Sequence, residues 1–343
     1  MTDEAGSGAA GSGVAGNGTA GRRRMPAAVA IGAAVAIGAM TATQARINGV
    51  LGLRLGDGIV AGLVSFSVGL VALALVVALL PSGQAAVGRL LRGVRSGGVP
   101  PWMLLGGACG ALTVSTQGLV AGVLGVALFT VGVVAGQTLH GLVLDRIGFG
   151  PAGVVAVTPG RLVGGVLAIA AVGVSLGGDV LSRAPLWMLV LPFLAGVGIA
   201  WQSGANGRLG QRIGSPLAAT LTSFVVGTAV LALAATTSVL VSGPPHPLPA
   251  EPWLYLGGLL GAAYILLGVI IVPRTGVLLM GLGAVLGQLV GSVLIDALWP
   301  PAHGPAGWQV VLMVAAAVCS VLVALPWRRR RISPSSSSSP ASP

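Results

Sequence analysis

The chain has 343 residues, of which 55% are hydrophobic and only 7% charged, with a mean hydropathy of +0.96. Soluble domains carry about 25% charged residues, so this composition excludes a water-soluble enzyme. The net charge of +11 comes from 18 basic residues, all arginine, against seven acidic ones. These arginines sit at the ends of apolar runs, where they orient membrane helices rather than form a nucleic-acid surface.

Residues 1–24 are a Gly/Ala/Ser-rich tail without the apolar content to build a core. Ten apolar runs follow, at 27–47, 58–80, 102–121, 125–143, 161–177, 186–204, 216–241, 253–272, 276–298 and 308–326. Each is close to the ~20 residues that cross a hydrocarbon core as a helix. The runs are unbroken, whereas the strands of a membrane barrel alternate apolar and polar positions. Residues 332–343 form a Ser/Pro tail. Cys109 and Cys319 lie inside apolar runs, so neither a disulfide framework nor a metal site is expected.

Alternating the ten spans from an internal N-terminus puts 15 arginines on the cytoplasmic side and three (Arg46, Arg54 and Arg183) outside. That bias is the positive-inside pattern, with both termini cytoplasmic. It also predicts a multi-pass protein of the cytoplasmic membrane.

Segment 44–69 repeats as 202–227 with 13 identities in 26 positions, where chance gives about one in ten. The offset then falls from 158 to 151, matching Pro101-Trp102 to Pro252-Trp253, Gly136-Gln137 to Gly287-Gln288, and Asp145 to Asp296. Each unit holds five spans, so the second enters the membrane upside down, as in many secondary transporters. The expected fold is an all-α integral membrane protein of ten transmembrane helices in two inverted five-helix repeats. The units are residues 25–178 and 186–331, flanked by the disordered tails 1–24 and 332–343.

The motifs Gln44-x3-Asn48-Gly49-x-Leu51, Ser65-Phe66-x2-Gly69, Gly136-Gln137 and Asp145-x2-Gly148 resemble the YdcZ-like branch of the drug/metabolite transporter superfamily, fused two-unit form. The resemblance spans roughly residues 27–326. It implies a ten-helix inner-membrane transporter with a central cavity between inverted halves, and export as the direction, but it does not imply a substrate. The first span lacks the membrane-embedded carboxylate on which small multidrug-cation exporters of that superfamily rely.

Polar side chains inside hydrocarbon are costly unless partnered or wet. Gln44 and Asn48 are four apart and share a helix face, and Gln202 with Asn206 repeats the geometry. They either line a shared cavity or bridge neighbouring helices; Asn48-Gly49 and Asn206-Gly207 also suit helix ends. Gln137 and Gln288 sit beside Gly-x3-Gly faces, where an amide serves as cavity lining or as helix glue. Ser65 and Ser223 suit bonds back to their own helices, and Phe66 and Phe224 suit core packing. His140, Asp145 and Asp296 are candidates for coupling or gating.

Gln44, Asn48, Gln137, Gln202, Asn206 and Gln288 are therefore the candidate substrate-binding set. No catalytic motif, P-loop or metal motif is present in the sequence, so neither a cofactor nor ATP hydrolysis is expected. The expected function is secondary transport, most simply export, of a small polar or amphipathic solute by alternating access. The rival is a structural or accessory membrane protein without transport activity. The expected partners are a small-molecule solute and the lipid bilayer, not nucleic acid; a homo-oligomer is left open.

Overall fold

The computed structural model describes residues 27–150, 153–154, scattered positions between 159 and 170, 185–275, 277–300 and 307–324. Both expected tails and most of the expected span 161–177 lie outside the described residues. Among those residues every regular element is helical.

Helix α1 (Ala27–Leu55) runs straight through Asn48-Gly49, so that pair does not end it. The chain turns at Gly56, whose φ of +69° favours a residue without Cβ. Asp57 then caps α2 (Gly58–Leu79), its Oδ1 accepting the N–H groups of Ile59 at 2.8 Å and Val60 at 3.1 Å. The same turn is built again 158 residues later. There α6 (Leu186–Ile213) ends at Gly214, φ +67°, and Ser215 caps α7 (Pro216–Ser242) by accepting from the Ala218 N–H at 3.2 Å.

Between α2 and the next span, the expected basic loop is a surface helix, α3 (Pro81–Arg95). Pro81 suits its first turn. Gly83 and Ala86 pack inward, and Arg89, Arg92 and Arg95 remain exposed. Arg89 Nε donates to the Ile213 carbonyl at 3.0 Å, placing a cation at the C-terminal end of α6.

The third span begins with a 3-10 turn at Pro101–Met103 and continues as α4 (Gly106–Thr116). It then widens into a single π-turn, Gln117–Ala121, closes with Gly122–Leu124, and breaks at Gly125, φ +87°. Helix α5 (Val126–Arg146) follows. In the second half, α8 (Leu256–Thr275), α9 (Val277–Leu298) and α10 (Gly307–Ala324) complete the described bundle.

Six helical stretches among the described residues are long and apolar enough to cross a membrane: Gly58–Leu79, Pro101–Leu124, Val126–Arg146, Leu186–Ile213, Pro216–Ser242 and Pro252–Ile271. Val71, Leu75 and Leu79 on α2, and Leu233 and Leu240 on α7, are exposed. An apolar exterior of this kind suits contact with lipid, not water.

The helices meet at glycines. The most extensive pairings are α1 with α9 and α5 with α6. A methyl group on Gly38 of α1 would collide with the Ala284 carbonyl of α9, and one on Gly287 with the Val35 carbonyl. At the positions given by the repeat offsets, Gly196 of α6 meets the Val133 carbonyl of α5, and Gly136 meets the Phe193 carbonyl. Helices α2 and α7 occupy equivalent places in the two units and run antiparallel: Gly62 lies 3.2 Å from Leu231 when given a Cβ, while Gly69 abuts Phe224 and Gly227 abuts Phe66. Between them the Phe66 and Phe224 rings stack at 4.7 Å, both buried, so the expectation of core packing holds for this pair.

Adding Cβ where backbone already touches backbone should cost about 1–3 kcal/mol of overpacking. Gly136→Ala and Gly287→Ala are expected to lower the thermal unfolding temperature of the purified protein in mild detergent. Gly141→Ala, with nothing within 4 Å of its Cβ, should leave it unchanged or slightly raised.

Candidate functional site

The amides of the repeated motif fall into two sets, one on each side of the Phe66–Phe224 stack. In the first, Gln44 and Asn48 of α1 reach the start of α8. Gln44 Nε2 donates to the Gly257 carbonyl at 2.9 Å, and Asn48 Nδ2 donates to Gln117 Oε1 at 2.7 Å. Gly257 lets Asn48 Oδ1 and Ser65 Oγ approach its Cα, and Gly261 lets Gln44 pass beside the Phe224 ring.

The second set repeats this arrangement with the units exchanged. Gln202 and Asn206 of α6 reach the start of α4, where a Cβ on Gly106 would lie 2.5 Å from Asn206 Oδ1 and one on Gly110 would lie 2.7 Å from Gln202 Nε2. Ser223 Oγ donates to Asn206 Oδ1 at 2.7 Å. Ser223 therefore bonds to the neighbouring helix, not to its own as the sequence suggested. For the donating hydroxyl, the Asn206 amide oxygen is a better acceptor than a helix carbonyl that already accepts a backbone N–H. Ser65, expected to bond back in the same way, finds no partner among the described residues.

All four of these amides are buried. No hydrogen bond among the described residues joins one set to the other; the aromatic stack lies between them. Gln137 on α5 and Gln288 on α9 lie elsewhere, at the glycine contacts with Gly196 and Gly38. The Oε1 atoms of both are buried without a hydrogen-bond partner among the described residues. Gln44 Oε1, Asn48 Oδ1, Gln117 Nε2 and Gln202 Nε2 share that condition. Buried polar atoms are normally paired, so these atoms are the chemically available part of the interior.

The titratable candidates have different surroundings. Asp296, at the end of α9, caps α5: its Oδ1 accepts from Val126 N–H at 3.0 Å and its Oδ2 from Ala127 N–H at 2.7 Å. A carboxylate is favoured at that helix N-terminus by the aligned peptide dipoles, and Arg46 is the nearby cation. Asp145 occupies the equivalent place at the end of α5 and is likewise partnered. His140 is half-buried one turn beyond Gln137.

Three groupings were not legible in advance. Gln117 stands alone in the repeat, opposite Gly268, so the repeated amides do not point to it. At the end that carries α3, Phe149 stacks on Trp201 at 4.4 Å and contacts Trp102 at 5.0 Å, with the Arg208 guanidinium 5.8 Å from the Trp102 and Phe149 rings. Arg208 also donates to the Gly148 carbonyl. At the other end, the 243–252 segment lies over the α1–α2 turn, with His246 N–H donating to the Leu55 carbonyl at 2.9 Å and Arg54 paired with Glu251 at 3.2 Å.

Comparison with known families returns one described as "Putative inner membrane exporter, YdcZ", matching residues 29–174 and again 187–324. No curated protein matches the chain.

The Asp296 cap has a measurable consequence. Replacing Asp296 by Ala removes both acceptors from the start of α5 and should lower stability by about 0.5–2 kcal/mol. Asp296→Asn, which keeps one acceptor oxygen, should lose less. Thermal unfolding of the three purified forms in detergent gives the order wild type, Asn, Ala.

Proposed function

This chain belongs to the YdcZ family of inner membrane exporters, and on that premise we propose that it is a secondary transporter moving a small polar or amphipathic solute by alternating access. The family makes it a multi-pass inner membrane protein and a transporter in general terms. The finer reading is ten spans in two inverted five-helix units. Its support is the antiparallel packing of α2 on α7, two helices that are equivalent in the repeat. Equivalent helices meeting head to tail are what a two-fold axis in the membrane plane produces, the arrangement that gives a transporter two interconvertible faces.

In this reading the end with α3 and its arginines is cytoplasmic and the 243–252 segment is external. The amide sets around Gln44/Asn48 and Gln202/Asn206 are then exposed in turn. Gln137 and Gln288 complete the polar interior, each with an oxygen available to a solute. Of the coupling candidates, Asp296 links α9 to α5, so a proton taken up there would weaken that link. Asp145 holds the equivalent place, and His140 lies on the same helix as Gln137.

A second reading has its own observation. Gln44, Asn48 and Asn206 already bridge helices, and such bonds hold membrane helices together at about 0.6 kcal/mol each. An accessory protein without flux would use them only for that purpose.

Two measurements decide between these readings. Cells lacking the protein should retain at least one small polar metabolite that expression of the chain releases. Gln137→Leu and Gln288→Leu should each abolish that release at unchanged membrane abundance; loss of abundance instead supports the accessory reading. Single cysteines at Ser96 and Ser242, in a background without Cys109 and Cys319, should label from opposite sides of the membrane. Labelling from one side removes the inverted arrangement.

A further inference from the structure

We propose that the solute is held by Gln44, Asn48, Ser65 and Gln117 around Gly257, and that this cluster selects uncharged solutes bearing both a hydrogen-bond donor and an acceptor. The proposal rests on the transporter reading and adds to it a residue, Gln117, and a chemical class.

The four side chains converge. Gly257 accepts from Gln44 through its carbonyl, and its Cα faces Asn48 Oδ1 and Ser65 Oγ. Gln117 enters through its bond to Asn48. Each of the four side chains is at most 1% exposed. Yet one polar atom on each finds no partner among the described residues: Gln44 Oε1, Asn48 Oδ1, Ser65 Oγ and Gln117 Nε2. The set thus offers two carbonyl acceptors, one N–H donor and a hydroxyl able to do either. Four orphans in one place depart from the usual rule that buried polar atoms are paired.

The equivalent cluster at Gly106 does not share this surplus. There Ser223 satisfies Asn206 Oδ1, the position matching Gln117 is Gly268, and Gln202 Nε2 remains as the orphan. Part of the difference is Gln117 itself, which begins the π-turn Gln117–Ala121, a distortion found often at functional sites. Close glycine contacts hold that turn against α1: Gly52 against Gly118, and Gly49 against Gly122. Its counterpart α8 passes the same position as unbroken α-helix. The chain has therefore deformed one span to deliver an amide to one of two otherwise equivalent places.

Specificity follows from the lining. No charged side chain bonds to the cluster among the described residues. Dipoles alone do not compensate a bare ion removed from water, whereas they match a neutral amide or hydroxyl well.

The test uses three probes of the same ring and size: benzamide, benzoate and benzylammonium at neutral pH. With the purified full chain in detergent, benzamide should raise the unfolding temperature saturably, and the two ions should not. Ser65→Ala removes a hydroxyl that bonds to nothing among the described residues, so folding should be spared while benzamide binds about three- to ten-fold more weakly. Gln117→Leu should abolish the shift; should that variant fail to fold, Ser65→Ala decides. The proposal is overturned by equal stabilisation from either ion, by no benzamide effect, or by wild-type benzamide binding in Ser65→Ala. Proteoliposome uptake of benzamide separates the two layers. Ser65-dependent binding without flux keeps the site and removes the transporter reading; flux that is unaffected by Ser65→Ala or Gln117→Leu does the reverse.

Discussion

Between helices in a bilayer there is no hydrophobic effect to draw them together, because lipid tails are as apolar as leucine. Association falls to dispersion and interhelical hydrogen bonds, both of which need close approach. In this chain that approach is made by glycine against backbone carbonyl, at Gly38, Gly136, Gly196 and Gly287. Contacts of this kind have no side-chain slack, so they fix helix position more strictly than interdigitating leucines do. Glycines at such contacts are in this sense core residues.

Duplication explains why the contacts come in equivalent pairs, and the departures from it are more informative than the agreement. Where the two copies match, as at the Gly56/Asp57 and Gly214/Ser215 turns, the same backbone problem has the same solution. Where they differ, one face has gained something the other lacks: α3 with its arginines, the Arg208 aromatic cluster, the π-turn with Gln117. A transporter moving a solute in one direction between different compartments has no need of identical ends. Asymmetry laid over a symmetric frame is the form such a preference takes.

The sequence carried much of this. The apolar runs and the 158-residue repeat announced long helices in equivalent units, and Asn, Gln and Gly at fixed spacing marked where those helices touch. Other features were hidden for physical reasons. The segment 81–95 reads as a loop because it is too short and too basic to cross a membrane, although Val87, Leu90, Leu91 and Val94 stand at helical spacing; as a helix it packs Gly83 and Ala86 inward and bonds Arg89 to the end of α6. A π-turn has no sequence signature of its own. Ser65 and Ser223 occupy identical motifs, yet Ser223 is bonded across helices and Ser65 finds no partner among the described residues. The pairing of buried amides depends on which helices become neighbours, and periodicity does not report that.

The two kinds of contact differ in how they yield. Glycine-to-carbonyl packing joins α1 to α9 and α5 to α6, and separating either pair forfeits contact along much of a helix. The amide of Gln44 joins α1 to α8 by one hydrogen bond, and such bonds are individually weak, about 0.6 kcal/mol each, while Gln202 and Asn206 of α6 only approach the glycines of α4. If the bundle moves, it parts at the amides and keeps the glycine pairs intact. Each moving body then contains one helix from each repeat, α1 with α9 and α5 with α6.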